Sequence, residues 1–402
     1  MILGWRRVAV ATSIPIAIVI GGLTGWVATT DLPITVAYAG WIGLLVLAST
    51  RAGVTRTVVT NVAILLAALG VVDGVATWLG RANDTLAPEP YRESSYWGED
   101  FRAEQKEFSD RVETGSGTVE RTIAGRIIRV NADYAGTYIT VKDGRRSTTG
   151  APESGPRILL FGGSTMLDAE VPDEYTIASR LQALVGDAWR VENYGVSGAS
   201  LAANVAWLKV LDLDRRDLVV TLSGVNNVGG VVDRGARWPA LYEMLNAPRF
   251  EAARRRSWLV ARLHTLANVQ VYERDDAAVE SAVSRYAGDL DAVAALAEQR
   301  GVRFLNFLQP HLWTTDSSAL SDGEAALRRS WGPTFREVVI EAYGQMEAAV
   351  PQRRDTVDLT GLFDAKQRPI FFDWHHVNEH GNELLAGAIH AELERRGWLS
   401  DE

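Results

Sequence analysis

Four separated segments of the chain carry side chains that together could perform acyl transfer. They supply a serine after a glycine pair, a turn glycine, an amide and an Asp-x-x-His pair: Ser164, Gly198, Asn226, Asp373 and His376. A serine hydroxyl becomes a nucleophile when a base takes its proton. Backbone and amide N–H groups can stabilise the oxyanion that follows. The set therefore predicts a serine-type acyl-transfer site.

Each residue of the set has a predicted role. Ser164 is the candidate nucleophile and His376 the candidate base. Asp373 comes three residues before His376, where it can hold the imidazole in one tautomer and stabilise the imidazolium. The oxyanion hole is predicted from Gly198, Asn226 and the backbone N–H of Ser164. Each of these residues alone is common in turns and caps, so the prediction depends on their combination.

A metal site is the alternative reading of the histidine-rich segment. His375, His376 and His380 lie close in sequence, with His376 and His380 one helical turn apart. Carboxylate ligands at the spacing typical of zinc sites are not evident, and Asp373 has a role as the residue that orients His376. We therefore predict no metal and no other cofactor.

The order of these segments resembles the SGNH (GDSL-type) hydrolase superfamily, whose four sequence blocks contribute Ser, Gly, Asn and His. The resemblance covers roughly Arg157 to Trp398. It implies a flavodoxin-like fold and an acyl-enzyme on Ser164. One departure is visible, because the first block usually reads Gly-Asp-Ser and here reads Gly162-Gly163-Ser164. The family's Asp is not the triad acid, so the departure does not exclude catalysis.

The elements that must position these residues alternate between short apolar runs and amphipathic segments. This alternation predicts parallel strands joined by helices, an α/β fold of three layers with a parallel sheet. Each of the first three blocks follows a predicted strand, at the sheet edge where ligands bind. The predicted strands are Ile158–Phe161, Trp189–Tyr194, Leu218–Leu222, Val302–Leu308 and Val357–Leu359, and the predicted helices are Asp173–Val185, Ala199–Leu211, Ala277–Gln299, Phe335–Ala349 and Glu379–Arg396.

Three domains are expected within the 402 residues. Residues 1–80 form a nearly uncharged membrane anchor, residues 81–155 a polar linker, and residues 156–402 the catalytic domain. The linker contains scattered aromatic residues, and its β-branched parts, Arg121–Val130 and Thr137–Val141, predict a hairpin. It is too aromatic for pure disorder, so we expect it to fold partly onto the catalytic domain.

The membrane anchor is predicted from three apolar stretches, Val8–Thr29, Leu32–Thr50 and Thr57–Leu79. Each is about long enough to cross a hydrocarbon core of roughly 30 Å as a helix. A signal peptide followed by core helices is the alternative. The first stretch is too long for a typical signal, and two further stretches follow at once.

The flanking charges predict an orientation. Arg6 and Arg7 precede the first stretch, and Arg51 and Arg56 separate the second and third, whereas the turn after the first carries only Asp31. The positive-inside rule places the N-terminus in the cytoplasm. Three crossings then place the catalytic domain outside the cytoplasm, so we expect a plasma or inner membrane location.

Composition excludes some function classes. The net charge of −9 and the lack of a basic stripe with interleaved aromatic residues argue against nucleic acid. The absence of Cys excludes thiol nucleophiles and thiolate metal sites. Of the 13 Trp, some lie in loops that should open near the site and could stack on sugar rings. The weak candidates for substrate binding are Trp238, His311, Trp313 and Trp374, although a core position is favoured for any single Trp.

The function expected from these features is a membrane-anchored serine esterase that cleaves acyl esters, O-acetyl esters above all, on a bacterial cell-envelope or polysaccharide substrate. The alternative within the same chemistry is an O-acyltransferase, which would need a partner protein to supply the acyl donor. A non-catalytic carbohydrate-binding or assembly protein is the alternative of another class. A transporter or sensor rests only on the three stretches and on Asp73 within the third.

Overall fold

The computed structural model describes residues 72–73, 75–76, 88–113, 115–232, 238–250, 253, 257–267 and 275–400. The chain divides into two compact units, Met1–Leu86 with Arg234–Val271 and Ala87–Asp233 with Tyr272–Glu402. The three predicted membrane stretches lie outside the described residues apart from four positions of the third. Among the residues that are described, no helix has both the length and the apolar character needed to cross a membrane.

The second unit is built on a large sheet, to which eight strands of the described residues belong. Two further strands, β1 (Thr118–Ile123) and β2 (Arg126–Asn131), pair with each other as a separate antiparallel hairpin. The strands of the large sheet are β3 (Tyr134–Ala135), β4 (Thr140–Lys142), β5 (Arg145–Arg146), β6 (Arg157–Gly162), β7 (Arg190–Asn193), β8 (Leu218–Ser223), β9 (Arg303–Leu308) and β10 (Thr356–Asp358).

The order of the large sheet is β10-β9-β8-β6-β7-β5-β4-β3. Its first five strands are parallel, and their order is that of flavodoxin-like folds, with the switch point beside β6. Strand β8 is buried at every position, as a strand covered by helices on both faces must be. The α/β fold with a parallel sheet is therefore confirmed. Strands β5, β4 and β3 extend the sheet in the antiparallel sense.

Helices connect the strands and cover the sheet. Several of them begin at a side-chain cap; for example, Asp275 accepts the N–H of Ala278, and Asn378 accepts the N–H groups of His380 and Gly381. The helices of this unit are α1 (Glu99–Glu113), α2 (Ser164–Leu167), α3 (Ile177–Val185), α4 (Leu201–Leu208), α5 (Val225–Val232), α8 (Asp276–Arg300), α9 (Asp322–Ser330), α10 (Pro333–Ala349) and α11 (Glu379–Arg395). Helices α6 (Pro239–Asn246) and α7 (Trp258–Ala267) belong to the other unit.

Two predicted elements differ in the structure. The helix predicted over Asp173–Val185 is interrupted, because Thr176 is extended and caps α3 by accepting the N–H of Ser179. A hairpin forms in the predicted linker, but the two predicted segments do not pair with each other. The first segment makes its own hairpin, β1 with β2, and the second contributes β4 to the large sheet.

The predicted linker contains a helix that the sequence analysis missed. Helix α1 is mostly charged, and only Phe101 and Phe108, seven residues apart, are buried on its inner face. Such a narrow apolar stripe gives a weak helical signal. In the other unit, Asp73 is buried and accepts the N–H of Leu259 at the start of α7, at 2.7 Å. Its carboxylate therefore has a structural partner.

Candidate active site

The candidate nucleophile lies where the central strand meets a short helix. Strand β6 ends at Gly162, and α2 begins at Ser164. Asp168 ends α2 in the left-handed conformation, with φ of 64°. Its buried carboxylate accepts the N–H of Ile177 at 2.9 Å and the amide of Asn382 at 3.0 Å. These bonds tie the end of α2 to α3 and α11, and so fix the turn that presents Ser164.

The departure at Gly163 from the Gly-Asp-Ser pattern has a steric explanation. A Cβ built on Gly163 would lie 1.8 Å from Nδ2 of Asn226. Because Gly163 has no Cβ, the amide of Asn226 can occupy this space and donate to the carbonyl of Ala199, at 3.0 Å. The amide of Asn226 therefore lies against Gly163 of the first block. It is also hydrogen-bonded to Ala199, the residue after Gly198. Any side chain at position 163 would compete with Asn226 for this space.

Gly198 follows β7 in an exposed turn and has a φ of +71°, which favours glycine. The same turn is anchored to the first block, because the N–H of Val196 donates to the carbonyl of Gly162 at 3.1 Å. The predicted oxyanion donors thus stand at the carboxyl ends of neighbouring parallel strands, as expected for a site at the switch point.

Asp373 and His376 form the tight pair that their spacing predicts. Asp373 Oδ2 lies 2.6 Å from Nδ1 of His376, while Oδ1 accepts the backbone N–H groups of His375 and His376 at 2.8 Å. Nδ1 of His375 is farther away, at 3.4 Å. Nε2 of His376 is buried and has no hydrogen-bond partner among the described residues. It is therefore the nitrogen available to take a proton.

Gln309, after β9, joins the nucleophile turn to the histidine loop. Its side-chain Nε2 donates to Oγ1 of Thr165 at 2.8 Å and to the carbonyl of His375 at 3.5 Å. Its own N–H donates to Ser223 at the end of β8. The structure thus links the neighbours of Ser164 and His376 without forming the bond between these two residues. Such bonds are often long before substrate binds.

The charges around His376 favour its protonated form. Burial opposes that charge, but the carboxylate of Glu170, the hydrogen bond to Asp373 and the charge of Asp168 raise the pKa of His376 to about 9. Burial and the neighbouring charge of His376 lower the pKa of His375 to about 3. Of these two histidines, His376 is the one whose surroundings stabilise a positively charged imidazole.

Three of these side chains could also hold a metal ion. The ligand atoms of Asp373, His375 and His376 lie within 4.8 Å of one another. His380, which the sequence placed in a histidine cluster, instead has its Nδ1 3.6 Å from Glu383. Both oxygens of Asp373 already accept hydrogen bonds. The geometry thus fits an orienting carboxylate at least as well as a ligand set.

The candidate substrate residues lie in different places. Trp313 and Trp374 are buried and stack on each other, with ring centroids 5.3 Å apart. His311 is also buried, and its Nδ1 accepts the N–H of Trp313 at 3.1 Å. Burial favours a core role for these three residues. Trp238 belongs to the other unit, where its side chain is 47% exposed.

A buried ion pair beneath the histidine loop was not predicted. Glu324 accepts the N–H groups of Ile370 and Phe371, at 2.8 and 3.2 Å, and pairs with Nζ of Lys366 at 2.5 Å. Glu324 also closes a capping box with Ser321 at the start of α9. The Ser-x-x-Glu spacing was the available sequence signal for this cap.

Comparisons with known proteins find structural similarity only. No family model matches the chain, and no curated protein matches it. A member of the lipolytic G-D-S-L family from Veillonella parvula is 17% identical, with 60% of this chain and 100% of that chain covered and a TM-score of 0.35. An α/β hydrolase from the metagenome of Lake Arreo is 16% identical, with 62% and 98% covered and a TM-score of 0.34. A protein named TesA is 16% identical, with 60% and 98% covered and a TM-score of 0.35.

Because these TM-scores are below 0.5, the assignment depends on the chain's own residues. Strand order, the four sequence blocks and the contacts between them are independent observations. Gly163 touches Asn226, Gln309 bridges the nucleophile turn and the histidine loop, and Asp373 pairs with His376. In strand order and in the order of the four blocks the described unit resembles the SGNH/GDSL-type hydrolases, and the contacts bring those blocks together in this chain.

Proposed function

We propose that the chain is a serine esterase of SGNH type. The observation that carries the proposal is the Asp373–His376 pair, whose buried Nε2 is unpartnered among the described residues, in a loop joined by Gln309 to the turn of Ser164. This arrangement supplies a nucleophile, a base and an orienting acid on one edge of the sheet.

The proposed reaction uses these residues in two half-reactions. Neutral His376 takes the proton of Ser164 as its Oγ attacks the ester carbonyl, and Asp373 stabilises the imidazolium. The oxyanion is held by N–H donors from Ser164, Gly198 and Asn226. The intermediate collapses to an acyl-enzyme when His376 gives its proton to the leaving alcohol. Water then attacks the acyl group by the same route in reverse, which releases the acid and restores Ser164.

The proposed substrate is an acyl ester, an O-acetyl ester in the first instance, on a cell-envelope polysaccharide. Support comes from the predicted spans and their flanking arginines, which would anchor the enzyme in the plasma or inner membrane with its catalytic unit outside the cytoplasm. If a sugar hydroxyl replaces water in the second half-reaction, the same site acts as an O-acyltransferase.

The test is an assay of the full-length protein with an activated short-chain ester, with and without an acetylated polysaccharide. We expect ester cleavage, acetate release from the polysaccharide, and labelling by a fluorophosphonate probe. The Ser164→Ala variant should show none of these. Acyl transfer to a deacetylated polysaccharide would favour the transferase. Absence of both turnover and labelling in the wild type would favour a non-catalytic carbohydrate-binding protein.

A further inference from the structure

A segment that precedes the family-like region lies on the catalytic loop, Phe372–His376. We name this segment, Pro88–Trp97, the strap. The carbonyl of Pro90 accepts the amide of Asn378 at 2.7 Å, just after the loop. Tyr96 donates its hydroxyl to the carboxylate of Glu379 at 2.6 Å. The strap is therefore hydrogen-bonded to the residues two and three positions after His376.

Tyr91 forms the centre of the strap. Its ring is buried between Trp97, with centroids 3.8 Å apart, and Phe372, with centroids 4.4 Å apart. Arg102 covers Trp97 at 5.5 Å from the ring centroid. The result is a continuous stack that ends on Phe372, the residue immediately before Asp373. Because aromatic rings have few rotamers, such a stack holds the backbone at Phe372 at little entropic cost.

The hydroxyl of Tyr91 reaches a second part of the site. It donates to the backbone carbonyl of Glu170 at 2.7 Å. Glu170 comes two residues after Asp168, in the turn that leads away from the nucleophile helix α2. One tyrosine thus touches the chain beside each of the two carboxylates that act on His376, Asp373 and Glu170.

We propose that Tyr91 is a positioning residue, whose ring fixes Phe372 and whose hydroxyl fixes Glu170, so that both carboxylates are held around His376. This inference rests on the proposed function of Ser164, His376 and Asp373. It makes the strap a part of the catalytic apparatus although it lies outside the region that resembles the family.

The proposal predicts a change in the titration of His376. The charged and titratable groups that face His376 are Asp373 and His375 on its own loop and Glu170 and Asp168 on the turn after α2. Burial raises the pKa of both acids on that turn, to about 8 for Asp168, and the charge of Arg146 partly opposes this rise. The carboxylates raise the pKa of His376. If Tyr91 no longer holds them in place, that pKa falls, and the rise of kcat/KM with pH moves to lower pH.

The experiment compares Tyr91→Phe, which removes only the bond to Glu170, with Tyr91→Ala, which also removes the stack. Tyr134→Phe is the control, because its ring packs on Phe108 in the same unit. We measure kcat, KM and the pH midpoint of kcat/KM with an activated ester, and the unfolding temperature. Tyr91→Ala should lose about tenfold or more in kcat with KM nearly unchanged. Tyr91→Phe should lose less, and both should lower the pH midpoint.

A purely structural role would lower the unfolding temperature and leave the pH midpoint where it is, and that result would overturn the proposal. If Tyr91→Ala does not fold, the proposal is tested with Tyr91→Phe and Phe372→Leu. The same quantities are measured: kcat, KM, the pH midpoint of kcat/KM and the unfolding temperature. If the wild type neither cleaves the ester nor reacts with a fluorophosphonate, the proposed function fails. The inference is then decided by the NMR titration of His376: an equal pKa in the wild type and Tyr91→Phe would refute it.

Discussion

Replacing Gly163 by alanine tests the steric reason for the departure from the family. The added Cβ would lie 1.8 Å from Nδ2 of Asn226, whereas ordinary contact begins at 3.4 Å. The amide must therefore retreat by about 1.6 Å, which also breaks its bond to Ala199. The φ at Gly163 is −87°, so an added side chain does not meet the strain of the left-handed region. The fold should survive, since the displaced group is the end of one side chain.

The expected loss follows from the role proposed for that amide. Removing one oxyanion donor costs about 10²–10³ in kcat, or about 2.7–4 kcal/mol. The Gly163→Ala variant should approach this loss in an assay of kcat with an activated ester, while KM changes little. Gly163→Asp, which restores the family's usual residue, should lose at least as much. Gly288→Ala is the control, because a Cβ there meets nothing within 4 Å.

A double-mutant cycle isolates the mechanism. Asn226→Ala alone should lose a similar factor, and adding Gly163→Ala to it should cost almost nothing, because the atom that the Cβ would meet is gone. Additive losses in the double variant would show that Gly163 acts through something other than Asn226. Full activity of Gly163→Ala would refute the reasoning at its first step.

Four further predictions concern the base, its pKa, metals and topology. His376→Ala should lower kcat roughly 10⁴-fold or more, and His375→Ala far less, because only His376 lies 2.6 Å from Asp373. Similar losses in the two variants would contradict the assignment of His376 as the base. The pKa of His376 is raised to about 9 and the base must be neutral, so kcat/KM should rise with pH and level off only above about 9; a plateau beginning near 6.5 would contradict this. EDTA should leave kcat unchanged, whereas loss of activity restored by zinc would make Asp373, His375 and His376 a metal site. A reporter active only outside the membrane should work when fused after Glu402 and fail after Arg56; activity at Arg56 would refute the predicted orientation.

The features predicted best from the sequence are those encoded locally. The strands were found because each is a short apolar run, and β6, β8 and β9 lie within a residue or two of their predicted bounds. The pairing of Asp373 with His376 was predictable because three residues of loop bring these side chains together. The sequence order of the four blocks predicted their common edge of the sheet, since parallel strands end at the same edge.

The features that were missed depend on contacts between distant parts of the chain. Gln309 bonds Thr165 across 144 residues, and no local pattern marks that bond. Tyr91 belongs to a segment read as a linker, and its contacts with Phe372 and Glu170 exist only after folding. Trp374, a weak candidate for substrate binding, is buried, in line with the core position that is favoured for any single Trp.

The pair of Glu324 and Lys366 has an evolutionary consequence. Each side chain is only 1% exposed, so neither charge can be lost alone without leaving its partner buried and uncompensated. Breaking such a pair typically costs about 3–5 kcal/mol, whereas replacing both members by apolar residues of similar volume is often neutral. Glu324 also holds the backbone at Ile370 and Phe371. These two N–H groups would lose their acceptor if Glu324 became apolar, so replacing both members by apolar residues is disfavoured here. In homologous chains the two positions should therefore stay charged together, and single changes should be rare.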